Sequence, residues 1–149
     1  MQITNKMTII IKALTENEGF IRNAVASFCL PLNPTVDEII EIKTAVSEAV
    51  TNVIVHAYPN KIGTIKLQAE IKNNTLYISI KDYGKGIFDI EKAIQPFFTT
   101  KSQEERTGMG FTVMESFMDK VKVKANKQKG VTVFMEKAIN KDVKKQALM

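Results

Sequence analysis

The chain has 149 residues, 44% of them hydrophobic and 25% charged, with a net charge of +5. That length suits one domain with one core, and the balance excludes a disordered or fibrous chain. The single cysteine, Cys29, excludes an intrachain disulfide and fits a reducing cytoplasm. No apolar run reaches transmembrane length, and Met1 to Lys6 lack a signal-peptide pattern.

Met7 to Ala13 is short and β-branched, which predicts a strand. Asn17 to Leu30 carries Phe20, Ile21, Ala24, Val25 and Phe28 at helical spacing, with Cys29 read as a small buried hydrophobe. Pro31 and Pro34 break the chain. Thr35 with Glu38 is a capping-box pattern, opening a helix expected to reach about His56, before Tyr58-Pro59-Asn60. Its apolar side is Val36, Ile39, Ile42, Val46, Ala49, Val50 and Val53.

Two alternating strands follow, through Ile65 to Ile71 and Leu76 to Ile80. Asn73-Asn74 is the hairpin turn between them, since Asn tolerates positive φ. Ile87 to Ile94 predicts a short helical turn. Pro96 to Thr107 has no periodicity and reads as a long loop, a kind usually functional inside a compact domain. A helix is expected from Gly108 to about Met118, then a last hairpin, Val121 to Ala125 and Val131 to Met135, around Gly130. The expected fold is α+β: a two-layer sandwich, a mixed and mainly antiparallel sheet with helices on one face. Much of the positive charge lies from Lys120 to Lys145, where lysines alternate with Val121 and Val123. A solvated strand face is the plain reading; a nucleic-acid surface lacks the interleaved aromatics it would need.

Three short patterns carry chemistry. Glu48 and Asn52, four apart on the second helix, lie within about 40° of each other and off the apolar stripe. A carboxylate there can act as general base, and an Asn oxygen is a hard neutral ligand for Mg²⁺. The alternative is a solvated helix face. Asp82 ends a strand and opens Asp82-Tyr83-Gly84-Lys85-Gly86. Its carboxylate can accept a hydrogen bond from an adenine amino group, where guanine offers a carbonyl, while Gly84 and Gly86 allow close approach to a flat base. The alternative is a tight turn without a ligand. Gly108 and Gly110 precede Phe111, Val113, Met114 and Phe117, so a glycine-rich helix entry exposes N–H groups suited to phosphate. Lys101 and Arg106 in the long loop either add charge to those phosphates or are solvated, and the loop looks like a lid. Thr132 either approaches the base beside Asp82 or is a plain strand threonine. His56 reads as a helix-end residue ahead of a catalytic one. No Cys/His zinc cluster and no Gly-x-x-x-x-Gly-Lys-Ser/Thr loop is present.

In this order and spacing the three patterns resemble the N, G1 and G2 boxes of the GHKL superfamily, which includes gyrase, the 90-kDa heat-shock chaperones, histidine kinases and MutL. The resemblance spans about residues 7 to 138. Glu41 to Asn52, Pro96 to Lys101, Arg106 to Phe111 and Asn17 to Arg22 are most similar to the anti-sigma factor serine kinases of sporulation, the anti-sigma F group. This resemblance implies a single Bergerat-type ATP-binding domain over 1–149, with a basic tail at 139–149. It implies ATP and Mg²⁺ as cofactors and a homodimer. It also implies two protein clients: a sigma factor, sigma F, held inactive, and an anti-anti-sigma factor phosphorylated on serine. Neither nucleic acid nor membrane is an expected partner. Glu48 would be the base, Asn52 the magnesium ligand and Asp82 the adenine reader. Gly84, Gly86, Ile87, Thr100, Lys101, Thr107, Gly108, Met109, Gly110, Phe111 and Thr132 would line the nucleotide site, Arg106 would reach the terminal phosphate, and Arg22 would belong to the client surface. A regulator of a general stress sigma factor is a close alternative. Rival readings are a detached histidine-kinase catalytic domain, a binding module that holds ATP without catalysis, and an ATP-hydrolysing switch. The first normally follows a helical hairpin, and here the ATP fold is expected to begin almost at Met7.

Overall fold

Ile65, Leu67, Ala69 and Ile71 alternate with polar residues, and all four are fully buried, as a strand with one face on a core requires. Around this strand a computed structural model describes residues 4–58, 60–84, 109–126 and 129–140. The strands are β1 (Asn5–Lys12), β2 (Thr64–Lys72), β3 (Thr75–Asp82), β4 (Lys120–Ala125) and β5 (Val131–Ala138), in the order β1-β2-β3-β5-β4. All four pairings are antiparallel. The β2–β3 hairpin turns on Asn73 and Asn74, at φ 53° and 58°, and the β4–β5 connection on Gly130 at φ 93°. Both turns lie where the sequence places them, because their residues tolerate left-handed backbone.

Helices α1 (Thr15–Phe28), α2 (Val36–Asn52) and α3 (Met109–Phe117) share one face of the sheet. None of the described helices is long and apolar enough to cross a membrane. The capping box is present: the Glu38 N–H donates to Thr35 Oγ1 at 3.1 Å, and the Thr35 N–H donates to Glu38 at 2.9 Å. Ile42, Ala45, Val46, Ala49 and Val50 of α2 are fully buried against the sheet. Two residues of the expected helical stripes are exposed. Val36 stands 75% exposed in the first turn of α2, and Phe20 of α1 is 57% exposed. Periodicity names a face but not how far the neighbouring layer extends over it.

A further difference comes at the end of α2. The α-helix stops at Asn52 and continues as one π-helical turn over Val53–Ala57. The expected extent, to about His56, is met, but by a wider turn. Such turns recur at functional sites because they re-aim the side chains that follow. The expected turn at 87–94 and the expected lid at 96–107 lie outside the described residues.

Lys120, Lys122 and Lys124 are exposed on β4, as a solvated strand face requires. Lys137 departs from that reading. It shares the inward parity of Val133 and Met135 and is 7% exposed. Its ammonium donates to Glu41 of α2 at 2.7 Å and to the Phe117 carbonyl at the end of α3 at 2.6 Å. A cation there satisfies a helix C-terminus and ties two helices to the sheet. Lys137→Ala should therefore lower stability by about 3 kcal/mol, since breaking a buried pair strands its partner. The expected value is at the low end because Glu41 is about a third exposed. Urea unfolding of the variant beside the native chain checks it.

Candidate functional site

The end of α2, the end of β3 and the start of β5 converge at one edge of the molecule. Asp82 is the last residue of β3 and is 6% exposed. Its Oδ1 accepts from the Gly84 N–H at 3.0 Å and from the Val131 N–H at 3.2 Å. Burial raises the Asp82 carboxyl above the ordinary carboxylate range, and these two N–H bonds lower it in part. Because its folded-state value lies above the unfolded one, its contribution to stability is present at low pH and is lost as pH rises through the raised value. An ionised Asp82 is thus held at a cost, which a ligand donating to it would offset.

Gly84 sits against the end of α2. A Cβ built on it would lie 2.1 Å from the Ala57 carbonyl oxygen and 2.7 Å from Ala57 Cβ. This approach joins the Asp82 corner to the helix that carries Glu48 and Asn52. It is a reason for glycine that the sequence did not reveal; close approach to a flat base was the expected one. Gly130 is held the same way, its Cβ direction blocked by the Asp82 carbonyl at 2.1 Å.

Glu48 and Asn52 are half-buried on α2, with about 6 Å of helix rise between them. Asn52 Nδ2 is buried and meets no hydrogen-bond partner among the described residues. A buried amide without a partner is costly unless something binds it. A half-turn of that amide presents its oxygen instead, the hard neutral donor that Mg²⁺ accepts. The residue therefore fits a magnesium–phosphate group.

The glycine-rich helix entry is described only from Met109 onward. Gly110 is buried in the first turn of α3, and Phe111 is 7% exposed and packed in the core. Any part Phe111 takes in a ligand site therefore runs through its backbone. Gly86, Ile87, Thr100, Lys101, Arg106, Thr107 and Gly108 lie outside the described residues, as does the side chain of Met109.

Thr132 is buried, at 7% exposed. In the strand register it stands opposite Lys81 and Lys124, with the parity of Phe134. Asp82 instead shares the inward parity of Ile78 and Ile80, and the residue that meets it is Val131, through its backbone N–H. Thr132 donates to Asn126 Oδ1 at 3.3 Å.

Arg22 is not a freely extended cation. Its Nη1 donates to both Glu18 oxygens at 3.2 Å, and its Nε is buried with no hydrogen-bond partner among the described residues. Glu18 also accepts from the hydroxyl of Ser47, the residue before Glu48. The sequence reading missed Glu18 and Ser47; Glu18-x-x-x-Arg22, an i, i+4 pair, was the available signal. Cys29 is fully buried, as expected, and burial pushes its thiol up to about 11, which leaves it inert.

Comparison with known proteins agrees with this geometry. Residues 11–137 match the family model described as the histidine kinase-like ATPase domain. The chain is 53% identical over 142 residues to the anti-sigma F factor of Thermoanaerobacter sp. (strain X514), covering 95% of this chain and 99% of that one. The anti-sigma F factor of Clostridium kluyveri (strain ATCC 8527) is 48% identical over 136 residues, covering 91% and 96%. Among solved structures, the RsbU and RsbW domains of a Mycobacterium tuberculosis protein superpose with a TM-score of 0.65 at 15% identity. That match covers 91% of this chain and 32% of the other, so this chain spans about a third of it. The catalytic domain of the histidine kinase ThkA gives 0.57 at 22% identity, covering 89% and 96%. The two structures support the fold alone. The extent of the family match and the near full-length identities assign the chain to the histidine kinase-like ATPase domains and, within them, to the anti-sigma F factor family.

Proposed function

We propose that this chain is an anti-sigma factor and an ATP-dependent protein serine kinase, which binds sigma F and phosphorylates an anti-anti-sigma factor on serine. The observation that carries this reading is the joining of two half-sites. Gly84, seated on Ala57, brings the buried carboxylate of Asp82 to the end of the helix that bears Glu48 and Asn52. A purine reader, a metal ligand and a base thus share one rigid corner.

Mg²⁺ would neutralise phosphate charge and orient the terminal phosphoryl group. Asn52 would hold it through its side-chain oxygen. Asp82 accepts the hydrogen bond of the adenine amino group. Glu48 takes the proton from the client serine hydroxyl as its oxygen attacks phosphorus; the new O–P bond forms as the bond to the ADP oxygen breaks. Backbone N–H groups at the start of α3 receive phosphate oxygens. Gly86, Ile87, Thr100, Lys101, Thr107, Gly108, Met109, Phe111 and Thr132 line the rest of the site, and Arg106 reaches the terminal phosphate. Arg22, held by Glu18, belongs to the client surface. The whole chain acts as one cytoplasmic domain and pairs as a homodimer.

Base recognition gives the nearest test. Calorimetry should show ATP bound far more tightly than GTP, and Asp82→Asn should abolish that preference, since an amide donor can then face the adenine donor. ATP affinity should also fall on acidification, beginning above the pH at which ordinary carboxylates titrate, because burial raises Asp82. Equal affinity for ATP and GTP in the native chain would refute Asp82 as the base reader.

A further inference from the structure

Tyr58 follows the π-helical turn at the end of α2 and is 5% exposed. Its hydroxyl donates to the Thr64 carbonyl at 2.7 Å and accepts from the Tyr83 N–H at 2.7 Å. One phenol oxygen thereby ties the exit of α2 to the first residue of β2 and to the residue after Asp82. The bonded N–H belongs to the peptide that links Asp82 to Tyr83. Turning that peptide would change the backbone angle at Asp82. The next peptide, between Tyr83 and Gly84, carries the N–H that donates to the Asp82 carboxylate at 3.0 Å. The carboxylate is oriented by the Gly84 and Val131 N–H groups, and the Tyr58 hydroxyl holds the backbone between Asp82 and the first of them.

We propose that Tyr58 is a positioning residue for purine selection: its hydroxyl locks the Asp82–Tyr83 peptide and so aims the Asp82 carboxylate at the amino group of the base. This rests on the reading of Asp82 as the base reader. A tyrosine serving only to fill the core would use its ring, and its hydroxyl would be dispensable for selectivity. Here both bonds of the hydroxyl go to backbone: to Tyr83, the residue after Asp82, and to Thr64, the neighbour of its strand partner Ile65. Tyr58 also continues the helix that carries Glu48 and Asn52, so the same side chain sets the base end of the site relative to the phosphate end.

Tyr58→Phe keeps the ring and removes the two hydrogen bonds. ATP affinity should fall about three- to tenfold, the range for losing a buried hydrogen bond, and the ATP-to-GTP affinity ratio should fall with it. Lys137→Met, which weakens the fold away from the corner, should lower the melting temperature and leave that ratio unchanged. A Tyr58→Phe ratio equal to the native one, with Asp82→Asn still abolishing it, would overturn this inference alone. A native chain that does not prefer ATP would overturn both this inference and the reading of Asp82. If Tyr58→Phe does not fold, hydrogen exchange at the Tyr83 amide of the native chain decides the matter. Strong protection, increased by Mg-ATP, is the expected result, and exchange at the rate of an open amide would overturn the proposal.

Discussion

Glu48→Gln should lower phosphate transfer to the client serine by about 10²–10⁴, the usual worth of a general base. The substitution keeps the size and hydrogen-bonding shape of the side chain and removes only its basic oxygen. Glu48 lies one turn before Asn52 on a helix whose buried face, Ile42, Ala45, Val46, Ala49 and Val50, is untouched by the change. ATP and sigma-factor binding should therefore persist. Single-turnover transfer of labelled phosphate measures the chemical step apart from binding. A variant that transfers phosphate at the native rate would remove Glu48 from the role of base.

Gly84→Ala should abolish tight ATP binding and destabilise the fold by about 3 kcal/mol, at the upper end for overpacking a close contact. The added methyl would lie 2.1 Å from the Ala57 carbonyl oxygen and 2.7 Å from its carbon. Both are backbone, so no flexible side chain can yield. The corner must part from α2, taking Asp82 away from Glu48 and Asn52. Gly19→Ala is the control, because its nearest neighbour is the Arg22 guanidinium at 3.9 Å. Within a helix that change should stabilise by about 0.5–1 kcal/mol. Chemical unfolding and ATP titration of the two variants, side by side, separate a loss specific to the corner from the general effect of adding a methyl.

The parts of this molecule legible in sequence are those fixed by residues near one another in the chain. Thr35 and Glu38 declare a helix start because the capping box closes within one turn. Asn73, Asn74 and Gly130 mark turns through their own backbone freedom. Asp82 at a strand end and Asn52 four after Glu48 follow from periods of two and 3.6.

What escaped depends on distant partners or on small changes of register. Lys137 resembles the solvated lysines of β4 until its partner Glu41, 96 positions away, is brought beside it. The π-helical turn after Asn52 changes the helical period over only five residues, too few for a pattern to register. Tyr58 looked like the end of a helix, and its two backbone bonds depend on β2 and β3 arriving at the same place. Ser47 and Glu18, 29 positions apart, meet only because α1 packs on α2.

Phosphate transfer from ATP to a serine of a protein client is the chemistry proposed for the corner built from α2 and β3. The most direct measurement incubates the purified chain with γ-labelled ATP, Mg²⁺ and the anti-anti-sigma partner, then identifies the labelled residue. The expected result is label on one serine of the partner, made in native amounts by the native chain and lost with Glu48→Gln. A native chain that binds Mg-ATP and sigma F yet leaves the partner unlabelled would refute the kinase role, and would make this corner a nucleotide-binding site without phosphoryl transfer.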